Sequence, residues 1–99
     1  MKFTSLVLVA LVAISSVSAM AEVDTCKKIS GLAQEAMQAR QDGDLLQDSM
    51  AKIGDGSKFA KDVVMKAYEK PVMTGKDNKR QAVREFQNEA YRVCYNANN

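Results

Sequence analysis

Two cysteines, Cys26 and Cys94, lie 68 residues apart in a 99-residue chain, and there are no others. Whether they pair decides what the chain can fold into. A domain this short buries a modest core and is marginally stable without a cross-link, a metal or a partner. A bond between these two thiols closes nearly the whole folded part into one loop. In the chain-entropy model a loop of that length is stabilised by about 4 kcal/mol. Such a bond persists only in an oxidising compartment, so the segment ahead of Cys26 becomes the next question.

That segment, residues 1–21, reads as a secretory leader. Lys2 supplies a positive start, Leu6 to Ile14 is an unbroken apolar run, and Ser15, Ser16, Val17 and Ser18 lead into small residues. Ala19-Met20-Ala21 is an A-x-A site, which predicts cleavage after Ala21, and Val17-Ser18-Ala19 is the alternative, with cleavage after Ala19. A membrane span needs roughly 20 predominantly apolar residues. Thr4, Ser5, Ser15 and Ser16 already interrupt this stretch, so an uncleaved anchor is the poorer reading. The short, compact leader leans towards bacterial export, to the periplasm or the exterior. In that setting an even cysteine count reads as a Cys26–Cys94 disulfide, with intermolecular pairing as the competitor. The thiols are not in a C-x-x-C redox motif, and two thiols without histidine do not make the usual zinc site.

Removing the leader takes Lys2 with it and leaves a net charge of about +1. That balance argues against a nucleic-acid binder, which carries a clear basic excess, and against a polybasic membrane-surface protein. Histidine, the commonest general base and metal ligand, is absent, and so is tryptophan. No cofactor or metal is expected, and no stable membrane insertion after cleavage.

Turn signals divide residues 22–99 into four helical pieces. The first, about Thr25 to Arg40, carries Cys26, Ile29, Leu32, Ala33, Ala36 and Met37 at i, i+3, i+4, i+7 spacing, and Gly43 is its natural stop. Gly31 inside it suggests the close approach of another helix. The second, about Leu45 to Ile53, starts from an Asp44–Gln47 capping box and contributes Leu45, Leu46, Met50 and Ile53. The third, about Lys58 to Glu69, is capped by Ser57 and buries Phe59, Ala60, Val63, Val64, Ala67 and Tyr68. Pro71 ends it and begins an extended connector to Gly75. The fourth, about Asp77 to Tyr95, is capped by Thr74 or Asp77 and buries Val83, Phe86, Ala90, Val93 and Cys94. Strand alternation is absent. The predicted fold is all-α: a small bundle of about four helices, with one disulfide joining the first and the last.

Chemical candidates are few. Lys76, Lys79, Arg80 and Arg84 cluster at the start of the fourth helix as an anion or partner patch, or as a solvated face with Asp77 and Glu85 nearby. Glu85 and Glu89, one turn apart, resemble a carboxylate pair but fall opposite the apolar stripe. Asp42, Asp44 and Asp48 around Gly43 lack the spacing of a calcium loop, and cap chemistry explains them better. Met37, Met50, Met65 and Met73 read as core filling before they read as an adaptable groove or thioether site. Tyr68, Tyr91 and Tyr95 carry contact area suited to interfaces, with Tyr95 placed to cover the disulfide. Ser30, Ser49, Ser57, Thr25 and Thr74 have no adjacent base. No catalytic constellation is assembled, and an enzyme is not expected.

Several pieces together form a pattern: Cys26-Lys27-Lys28-Ile29, Ala36-Met37-Gln38-Ala39-Arg40-Gln41-Asp42-Gly43, Ala67-Tyr68-Glu69-Lys70-Pro71, and Glu85-Phe86-Gln87-Asn88 through Tyr91 and Cys94. This resembles short exported proteins of phage, prophage and bacterial genomes. The resemblance implies bacterial export and a phage origin, and carries no functional residue with it. Two expectations about role follow from the whole chain. The first is a periplasmic or secreted module that docks to a protein partner in the cell envelope. The alternative is an acid-stress or holdase-type chaperone, whose carboxylates would drive unfolding on protonation.

Overall fold

A computed structural model describes residues 25–97. The predicted leader, its cleavage point and the last two residues lie outside that range. Among the described residues there are four helices and no strand. Helix α1 spans 25–42, α2 Leu46–Lys52, α3 Lys58–Tyr68 and α4 Lys76–Ala97. Cys26 and Cys94 are disulfide-bonded, with their Cα atoms 5.5 Å apart, and join the first helix to the last.

The first helix ends through its backbone. Gly43 takes φ 85°. Its N–H donates to the Arg40 carbonyl at 3.2 Å, and the Asp44 N–H donates to Ala39 at 3.0 Å. This is the double closure of a Schellman motif, with glycine in the left-handed position. It also overturns the expected Asp44–Gln47 capping box. Asp44 is committed to closing α1, and its carbonyl accepts from the Tyr68 hydroxyl at 2.8 Å. The N-cap of α2 is therefore Leu45, with no side-chain cap, and α2 is shorter than expected at both ends.

The third helix starts as its sequence dictates, with the Ser57 hydroxyl accepting from the Ala60 N–H at 3.1 Å. The fourth begins at Lys76, so Asp77 lies inside its first turn and not before it. The Thr74 carbonyl accepts from the Asn78 side chain, and the Gly75 carbonyl takes the Lys79 N–H. Backbone carbonyls, the Gly75 one among them, mark this start where Thr74 or Asp77 was expected. The helix also runs on to Ala97, past the expected end at Tyr95.

The core is assembled from Ala33, Ala36 and Met37 of α1, Val64 and Ala67 of α3, and Val83 and Phe86 of α4. Leu46, Met50 and Ile53 pack against its edge from α2 and the turn after it. Alanine at four of the tightest positions, Ala33, Ala36, Ala60 and Ala67, lets the helices approach closely. The predicted stripes are thus only partly buried. Leu45, Phe59 and Val93, all expected inside, are 62%, 53% and 64% exposed.

The two glycines of interest behave in opposite ways. Gly54 takes φ 84°, and a Cβ there would stand 2.5 Å from the Ala60 Cβ and 3.4 Å from the Leu32 Cδ1. It is where the chain turns tightly against α1 and α3. A Cβ added at Gly31 would meet no described atom of another element within 4 Å, so among the described residues no helix packs closely there.

Two stability predictions follow from this packing. Gly54→Ala combines a left-handed backbone with overpacking and is expected to lose at least about 2 kcal/mol, whereas Gly31→Ala gains about 0.5–1 kcal/mol by raising helix propensity. Urea melts of the two variants should move in opposite directions. Replacing both cysteines by alanine should lower stability by about 4 kcal/mol, and reductant should act on the parent protein to a similar extent. Equal midpoints with and without reductant would exclude that role for the bond.

Candidate functional site

The connector between α3 and α4 is held by side chains from the end of α1. Gln41 is almost fully buried. Its Nε2 donates to the Pro71 carbonyl at 2.9 Å, and its Oε1 accepts the Met73 N–H at 2.8 Å. One amide thus pairs with extended backbone as a neighbouring strand would. The Lys79 ammonium donates to the Gln41 carbonyl at 3.1 Å, placing a cation at the C-terminus of α1, where the helix dipole favours it. Arg40 donates through Nε to the Lys70 carbonyl at 2.9 Å, and its guanidinium lies 5.4 Å from the centre of the Tyr68 ring. Tyr68 spends its only proton on the Asp44 carbonyl, so the buried Ser49 hydroxyl, 2.6 Å away, is the donor between those two.

This clamp fixes where α4 leaves α3. The two helices make little direct contact with each other; both lean on α1. Between them lies an open trough of about 740 Å³. Its lining repeats one spacing on three helices. Helix α1 contributes Thr25, Lys28, Ile29 and Leu32; α3 contributes Phe59, Asp62, Val63 and Lys66. Helix α4 contributes Phe86, Glu89, Ala90 and Val93, then Cys94 and Ala97. Each set runs i, i+3, i+4, i+7, the period of a helix face turned towards a neighbour. The exposed Phe59 lines the trough from α3 and the exposed Val93 from α4, and the disulfide-bonded Cys94 belongs to the same lining.

The rim is charged. Asp62 pairs with Lys58 at 3.0 Å, and Glu89 with Lys70 at 3.4 Å. Asp55 accepts the Ser57 N–H at 3.0 Å. Bonds from the Ser57 side chain and then its backbone hold the Asp55 carboxyl below the ordinary carboxylate range. Its small contribution to the turn is therefore present at neutral pH and fades as acid carries the solution down through that lowered value.

The remaining sequence candidates are dispersed. Of the basic cluster, Lys79 is tied to Gln41, Arg80 lies 3.8 Å from Asp77, and Lys76 and Arg84 are exposed. Glu85 accepts from Gln81 on its own helix. With Glu89 it borders a smaller cavity of about 290 Å³ beside Met37, Pro71 and Met73. Asp42 accepts from Gln38, and Asp48 is exposed in the first turn of α2. Among the described residues no group of three or more Cys, Asp or Glu is placed to hold a metal. Met37 fills the core and Met50 its edge, but Met65 and Met73 are exposed, against the expectation of core filling. Tyr95 stacks on Tyr91 at 6.4 Å and is half exposed.

Sequence reasoning missed Gln41 and the trough. A glutamine just before Asp-Gly gives no sign that it will reach across to residues 71–73. The trough did leave a trace: α3 and α4 carry more apolar positions than a core this small can absorb. No protein-family model, curated protein or solved structure matches this chain. Among the described residues, no helix is long and apolar enough to cross a membrane.

Gln41→Ala leaves the Pro71 carbonyl and Met73 N–H without partners. It is expected to lower stability by about 2–3 kcal/mol. Hydrogen exchange at the Met73 amide should accelerate, while the Ala33 and Ala36 amides keep their order of protection.

Proposed function

We propose that this chain is an exported, non-catalytic binding module, and that the trough between α3 and α4 receives a helix from a protein partner in the cell envelope. Export rests on the leader pattern of residues 1–21 together with the Cys26–Cys94 bond, which suits an oxidising compartment. One observation carries the docking reading: three helices turn stripes of helical spacing onto one apolar trough that no described residue fills. That is the geometry of a bundle lacking a member. Helix-in-groove recognition uses i, i+3, i+4 and i+7 anchors of this kind, interdigitating the ridges of an incoming helix with those already present. Phe59 and Val93 are the anchoring positions, because they combine apolar area with high exposure.

A photoreactive residue placed at Phe59 or at Val93 is expected to form the same adduct, with one envelope protein, in intact cells. The same residue at the exposed Arg84, outside the trough, should give none. Val93→Asp should abolish the adduct from position 59 without lowering the melting temperature by more than a few degrees. Identical labelling from all three positions, or adducts with different proteins from 59 and 93, would defeat the reading.

A further inference from the structure

We infer that the helix accepted by this trough is acidic and amphipathic, with an apolar face bordered by carboxylates that meet Lys28 and Lys66. This rests on the docking reading above and adds the chemistry of the partner. The argument is one of charge complementarity. Five charged side chains line the trough: Lys28, Asp55, Asp62, Lys66 and Glu89. Two of the three carboxylates are already matched, Asp62 by Lys58 and Glu89 by Lys70. Asp55 accepts the Ser57 N–H just before α3. Lys28 and Lys66 form no ion pair among the described residues. Both are exposed, Lys28 on α1 next to Ile29 and Lys66 on α3 three residues after Val63. An incoming helix that buries Leu- or Ala-sized side chains against Ile29, Val63 and Val93 places its border residues beside these ammonium groups. Carboxylates there complete two ion pairs, whereas lysines there face two unpaired like charges.

The test uses the oxidised, disulfide-bonded protein and three fluorescent peptides of about 14 residues, long enough for roughly four turns. One has a Leu/Ala face bordered by glutamates. The second has the same face bordered by lysines. The third is the glutamate peptide with two central prolines. Fluorescence anisotropy at low salt should show the glutamate peptide binding at least about tenfold tighter than either of the others. In the Lys28→Glu, Lys66→Glu double variant the order of the first two peptides should reverse. Both positions are exposed, and circular dichroism checks that the variant keeps its helices. If the glutamate and lysine peptides bind equally to both proteins, the charge assignment is wrong while helix docking survives. If the proline peptide binds as well as its parent, the occupant is not a helix. If no peptide binds but oleate, or a second copy of the chain detected by sedimentation, occupies the trough, the docking reading falls with the inference.

Discussion

The Cys26–Cys94 bond sets the frame on which everything else is hung. Helix α3 is only 11 residues long, while α4 has 22 and α1 spans 25–42. At about 1.5 Å per residue, α3 is well under the length of α1 or α4. The start of α1 and the end of α4 are joined covalently. That tie keeps the Val93 wall at a fixed distance from the α1 floor, so an apolar trough can persist open to solvent without closing on itself.

At the opposite end the same task falls to hydrogen bonds. Gln41, Arg40 and Lys79 bind the backbone around the α3–α4 connector and the end of α1, and Tyr68 with Ser49 anchors the turn into α2. Buried polar groups are costly when unpaired, so a network of this kind specifies one arrangement of the helices and excludes neighbouring ones. Between the two fixed ends, α3 and α4 can stand apart. The trough lies between these two anchors, beside the short α3.

The legible parts of the fold are those controlled by local chemistry. Ser57 caps α3, Gly43 closes α1 and Pro71 ends the third helix because each residue acts on backbone groups within a few positions of itself. The Asp44 capping box misled because two local signals competed for one residue, and the closure of α1 won. Leu45, Phe59 and Val93 misled for a different reason. Periodicity shows that a face is apolar but not whether the molecule has anything to place against it.

The sequence by itself determined that this chain is helical, that it holds four helices with bounds within about two residues of those observed, and which two cysteines are joined. Those follow from spacing, capping and cysteine count, all written in one dimension. Only the tertiary structure decided that Gln41 bonds the extended connector as a strand would, and that three in-phase stripes converge on a trough that no described residue fills. Each of these depends on distances between residues about 30 or more positions apart, which arise from the angles at which helices pack and are carried by no local signal.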